Sequence, residues 1–294
     1  MKSLVSSTLV PFIIALSIGA ATVSHGAAAV LAGVPKVAVS SEGKVALLRS
    51  ESGNLSVGDV HGVKPVWRVP FEYRAVDLVA VGSWFGVFCT SKKADEPMLW
   101  LVNDDGKVKQ RVDLRAAGLN ERLTAVGAAD EGSIVVVGTI RGSVVRLDAK
   151  SNFKATSPLP FLSTTGRIGV VAVAAGAVAV SDEEGSSVLL STSAGSPRRL
   201  PIGDKFVSGM AFSLDGRSLY VVTGYTPSVM QIDVNTGMLN RFTLSKPAAH
   251  VAVAKDGSLW LVDSMGTEMT HVNRSGRVIG STRLTQQTFP NYKE

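Results

Sequence analysis

Cysteine is almost missing from this chain: Cys89 is the only one in 294 residues, so no internal disulfide framework is available. Stability must come from a packed core, and a hydrophobic content of 45% in a chain of this length is enough to build one. Aromatic residues make up only 6%, and no Lys/Arg run interleaves with them, which leaves a nucleic-acid footprint without support. Past the N-terminus there is no apolar run long enough to cross a bilayer. The short patterns of nucleophilic and zinc hydrolysis, G-x-S-x-G and H-E-x-x-H, are also missing, and three histidines follow the first 26 residues: His61, His250 and His271. With so few reactive groups, the sequence itself assigns no catalytic residue, metal or cofactor.

What is present begins with an export-like segment. Lys2 is followed by the apolar stretch LVPFIIALSIGAA and then by small residues, a pattern that predicts a signal peptide over 1–26 cleaved near Gly26. Ser6, Ser7, Thr8, Pro11 and Ser17 interrupt the apolar stretch, which argues against an uncut membrane anchor. Periplasmic or secreted localisation follows as an expectation, with a linker over 27–35 and a C-terminal tail over 286–294. Removing Lys2 lowers the formal charge of +6 to +5, a surplus spread along the chain that suits anionic surfaces or ligands.

The rest of the chain repeats. Gly turns between short apolar strands recur at Gly43, Gly86, Gly132, Gly176, Gly216 and Gly257. A second turn follows each at nearly constant spacing, at Gly62, Gly106, Asn152, Gly195, Gly237 and Gly276. Asn152 fits that series because asparagine tolerates positive φ better than other non-glycine residues. Strand, turn, strand, loop, strand, turn, strand is a four-stranded antiparallel blade, and a period in the forties predicts an all-β, six-bladed β-propeller over 36–285. The first strand of each unit, such as VAVS (37–40) and HVAVA (250–254), is built of small residues and is expected to line the central channel.

Within those repeats, LYVVTG (219–224) followed by QIDVNTGML (231–239) resembles the YVTN-type propeller repeat. KDGSLWLVDS (255–264) resembles the NHL and gluconolactonase-like repeat. The resemblance implies a scaffold used by binding modules and by a minority of lactonases and esterases, the latter holding a divalent metal through carboxylates at the channel mouth. Asp77, Asp182 and Asp263 are the residues to consider for such a metal, though no shared motif links them, and Asp-Gly turns such as NDDG (103–106) are explained as turns.

A basic residue or close substitute stands before each inner strand: Lys36, Arg74, Arg122, Arg167, Lys205, and Lys246 or His250. In a propeller these positions recur around the channel entrance, where a ring of cations would focus a carboxylate or phosphate. The alternative is a set of independent solubilising charges. Loops on the same face carry Tyr73, Phe161 and Tyr225 as aromatic anchors for a partner. The expected ligand-binding set is Arg74, Arg122, Arg167, Lys205, His250, Tyr73 and Tyr225. The function read from the sequence is an exported, non-enzymatic, monomeric binding module for an envelope or secreted protein, a glycan or an anionic small molecule. A metal-dependent lactonase or esterase is the alternative.

Overall fold

The computed structural model describes residues 34–285 and 288, apart from 60, 130–131, 160–163, 165, 183–186, 194 and 204–205. Its strands form six four-stranded antiparallel sheets. Blade 1 comprises β1 (Lys36–Val39), β2 (Val45–Arg49), β3 (Asn54–Asp59) and β4 (Gly62–Arg68). Blade 2 comprises β5 (Tyr73–Val81), β6 (Trp84–Ser91), β7 (Pro97–Val102) and β8 (Val108–Asp113). Blade 3 comprises β9 (Leu123–Ala129), β10 (Ile134–Thr139), β11 (Val144–Asp148) and the two-residue β12 (Lys154–Ala155). Blade 4 comprises β13 (Ile168–Ala174), β14 (Ala177–Asp182), β15 (Ser187–Thr192) and β16 (Gly195–Pro201). Blade 5 comprises β17 (Gly209–Phe212), β18 (Ser218–Val222), β19 (Ser228–Asp233) and β20 (Leu239–Thr243). Blade 6 comprises β21 (Ala248–Val253), β22 (Leu259–Asp263), β23 (Glu268–Val272) and β24 (Val278–Arg283).

Side-chain pattern explains the order within a blade. Second strands are apolar on both faces because both are covered by neighbouring blades; β6, with Phe85, Val87, Phe88 and Cys89 all buried, is the clearest case. Fourth strands such as β20 and β24 are mostly exposed, and arginine, threonine and asparagine are tolerated there. Packing between blades divides into six apolar clusters, one at each seam: blades 1 and 2, 2 and 3, 3 and 4, 4 and 5, 5 and 6, and 6 and 1. Burial at these seams is the main stabilising term, and ring closure removes exposed sheet edges.

Each blade is one contiguous stretch of chain, so the ring closes by side-chain packing rather than by a strand shared between the ends. Val34, from the stretch read as linker, packs with Val37, Ala252, Trp260 and Leu284 in the closing seam. Beyond β24, Thr288 is buried, and its carbonyl accepts a hydrogen bond from the Ser56 hydroxyl of β3.

Two turns test the repeat reading. Asn152 sits at φ 56°, the left-handed conformation expected there. In blade 2 the turn glycine is Gly82 (φ 62°), not Gly86. Gly86 lies inside β6 opposite Val79, where a Cβ would come within 3.1 Å of the Val79 side chain. A glycine selected for close packing therefore imitated a turn signal.

Candidate functional site

Blade entries and the loops between second and third strands lie together on one face. The Ile140 amide bonds the Arg122 carbonyl at 3.0 Å and the Ser264 amide the Pro247 carbonyl at 2.9 Å, each tying a loop to the entry of its own blade's inner strand, while the Gly224 amide bonds the Ala248 carbonyl of the next blade at 3.0 Å. The described sequence-predicted cations fall on this loop face, and the strand registers sort them into two tiers.

Arg74, Arg122 and Arg167 occupy equivalent positions, each one residue before the pair Ala75–Cys89, Leu123–Thr139 or Ile168–Asp182. All three stand at the surface of consecutive blades, Arg122 less exposed than the others. Asp95, on the loop before β7, lies between two of them, 4.0 Å from Arg74 Nη2 and 3.6 Å from Arg122 Nη1. Such exposed pairs are weak, and they orient more than they stabilise.

Lys36 and His250 belong to a deeper tier. A β-bulge follows Ala75, Leu123, Ile168 and Ala248 in four of the inner strands. Past it, the innermost ring on this face is Lys36, Asp77, Ala125, Val170, Gly209 and His250, paired with Leu48, Phe88, Gly138, Ser181, Val222 and Val262. Three adjacent blades, 6, 1 and 2, thus place an imidazole, an ammonium and a carboxylate side by side, while the other three positions are small and apolar.

Within this ring Asp77 is fully engaged. One oxygen accepts from its neighbour's amide, Leu78 N, at 2.9 Å, and the other from Val126 N of blade 3 at 2.8 Å. Burial pushes its carboxyl above the usual range, while Lys36 and the two amide bonds pull the other way. His250 is buried, and burial followed by the Lys36 charge holds its pKa well below the usual value, against a hydrogen bond to the Ser208 backbone. Because Nε2 has no partner, that bond runs through Nδ1, and the imidazole is neutral with a free Nε2 lone pair. Among the described residues Lys36, half-buried, forms no ion pair, and its charge acts on the Asp77 carboxyl and the His250 imidazole on either side.

The remaining sequence-predicted residues are placed as follows. Tyr73 is half-buried at the blade 1–2 side of the ring, edge-on to Trp100 at 6.1 Å, its hydroxyl taking a hydrogen bond from Arg111 at 2.5 Å. Tyr225 is 53% exposed on the loop face and stacks edge-on with Phe206 at 6.0 Å. Lys246 pairs with Glu268 at 2.7 Å. Asp263 accepts from Thr267 N and Thr267 Oγ1, both at 2.7 Å, and from Glu268 N at 2.9 Å, which ties down the loop before β23. Lys205, Phe161 and the Asp182 side chain lie outside the described residues. No group of three His, Cys, Asp or Glu able to hold a metal ion occurs among the described residues.

Sequence reasoning missed the apolar half of this face. Phe71, Ile140 and Met265 are 67%, 44% and 73% exposed on its loops, with Lys92 Nζ 3.9 Å from the Phe71 ring centroid. A signal was available: each is a large apolar residue inside an otherwise polar loop. No helix among the described residues is long and apolar enough to cross a membrane.

No family model matches the chain, and no curated protein matches it. Solved structures do. A streptogramin B lyase superposes with a TM-score of 0.58 at 16% identity over 87% of this chain and 85% of its own. A catalytically inactive histidine-to-alanine variant of virginiamycin B lyase from Staphylococcus aureus with quinupristin gives 0.57 at 13%, over 85% and 84%. A chain of the mitotic checkpoint complex gives 0.56 at 10%, over 86% and 87%. At these identities the likeness shows a shared propeller fold and nothing finer.

Proposed function

We propose that this protein is an exported binding module whose loop face recognises a partner carrying anionic groups, a protein before a glycan or small molecule. The observation that carries this reading is the composition of that face: Phe71, Ile140, Tyr225 and Met265 stand in solvent on loops around a rim that also carries the arginines of blades 2 to 4 and, at the channel entrance, Lys36. Exposed apolar side chains ringed by charge are the usual anatomy of a protein-binding surface. A propeller of similar shape within the mitotic checkpoint complex supports the plausibility of protein partners. Export rests on the segment over 1–26; the N-terminal mass of the protein recovered from its host envelope or medium checks it.

The test is capture with the whole protein from its host envelope, followed by quantitative binding of what is captured. Replacing Arg74, Arg122 and Arg167 together by alanine is expected to weaken the partner about tenfold at low salt, as three exposed charge contacts of some 0.2–1 kcal/mol each imply. Replacing Phe71 and Tyr225 by alanine should cost more, since aromatic anchors dominate hot spots. Unchanged affinity in both variants would defeat the reading.

A second reading, a lactonase or esterase, rests on one feature, His250 beside Lys36 at the channel entrance with its Nε2 buried and unpartnered. An imidazole in that state can act as a base or ligand. A panel of lactones and esters, with and without added calcium, decides it: turnover abolished by His250→Ala supports an enzyme, and absence of turnover in the unmodified protein removes that reading.

A further inference from the structure

The central channel does not run open from face to face. Immediately below the ring that holds Lys36 and His250, the next six inner-strand residues are Val37, Leu78, Val126, Val171, Met210 and Val251, and all are buried. From that constriction the channel widens toward the opposite face, the one formed by the turns between first and second strands, into a cavity of about 350 Å³. Its walls come from all six blades and are mostly alanine, valine and glycine, with Leu78, Met210 and Phe212. Exposure grows outward along four of the walls, where Val39, Ala80, Ala128 and Val253 are half-buried, while Val173 and Phe212 of blades 4 and 5 stay buried. The result is a pit walled by apolar side chains, four strand residues or roughly 13 Å deep by the ordinary rise per residue.

Its mouth is chemically different from its walls. Ser40, Ser41 and Ser213 supply hydroxyls, Leu214 stands 62% exposed at the edge, and Lys255 is the one charged side chain lining the cavity among the described residues. Nearby acids are already committed. Asp215 accepts from Ser213 Oγ at 2.6 Å and Arg217 N at 3.1 Å. Asp256 accepts from Ser258 N at 2.9 Å and Ser258 Oγ at 2.5 Å. Among the described residues Lys255 has neither an ion pair nor a hydrogen-bonding partner.

We infer that this pit is a second binding site, separate from the loop face, for a single aliphatic chain ending in a carboxylate, with the chain in the pit and the head on Lys255. Its side chains below the rim are apolar, and hydrocarbon seated against them removes that surface from water. One unpaired ammonium at the rim selects the sign of the head group. Small side chains on every blade are required by the convergence of six strands, but they do not require a bare lysine and an exposed leucine at one edge.

The test is calorimetric titration of the whole protein with hexanoate, octanoate, 1-octanol and octylammonium. Octanoate is expected to saturate one site and to bind about fourfold tighter per added methylene than hexanoate. Lys255→Glu, a change at an exposed position, should weaken octanoate at least tenfold and leave 1-octanol unchanged. Ala128→Trp, with folding checked by circular dichroism, should remove both. The triple arginine variant of the loop face should bind octanoate normally, which separates this site from the partner surface. No saturable octanoate binding, equal affinity for octylammonium, or indifference to Ala128→Trp would each overturn the inference.

Discussion

Asp77 shows at the scale of one residue how a charge can be structural. Its two oxygens satisfy two backbone amides on adjoining blades, so Asp77→Ala leaves buried donors unpaired and is expected to cost about 2–4 kcal/mol. Asp77→Asn keeps one acceptor and should cost less; urea unfolding of both variants measures the difference. His250 gives a pH dependence whose sign follows from its burial. Its folded pKa lies below the unfolded value of about 6.5, so the unfolded chain binds more protons and stability falls as pH drops below that value. The limiting slope is about 1.4 kcal/mol per pH unit. His271, stacked on Trp260 at 4.2 Å and also depressed by burial, adds in the same direction. Asp77 acts oppositely and lower: its raised pKa means stability is lost as pH rises from its unfolded value of about 4. His250→Gln should therefore flatten the profile as pH falls below about 6.5, which urea unfolding across that range measures. Cys89, wholly buried with its thiol pushed up by burial, should resist thiol reagents until the protein is unfolded.

Among elements, the inner strands carry the largest consequences. Four of them hold a β-bulge at one position, just inside the loop face, which moves the following residue into the innermost ring. That displacement is why Lys36 and His250 could not be told from Arg74, Arg122 and Arg167 in the sequence. All precede or open an inner strand, and spacing to the turn glycine does not reveal a bulge. The small residues of the second strands are also informative. A Cβ on Gly138 of β10 would fall 2.4 Å from the Ile168 side chain of β13, so Gly138→Val is expected to destabilise by about 1–3 kcal/mol through overpacking at the blade 3–4 seam. Thermal unfolding of that variant against Gly43→Ala, where space is open but φ is positive, separates packing from backbone strain.

For the whole molecule, closure is the vulnerable feature. Blades 1 and 6 meet through one apolar cluster that includes Val34 and Leu284, with Thr288 bonded to Ser56 beyond it. Ending the chain before Leu284 removes both contacts, and the melting temperature is expected to drop by several degrees as that seam loosens. Hydrogen exchange should then rise first in β1 and β21, the two inner strands at the seam. The paired turn signals, alternating small inner strands and doubly apolar second strands made six four-stranded blades legible in the sequence, because those patterns are local and repeat. Sequence also identified the cations, since charge is a property of the residue alone. Tertiary structure alone decided which cations are equivalent, which imidazole loses its proton to burial, and which end of the channel is open, because each depends on what neighbouring blades place within a few ångströms.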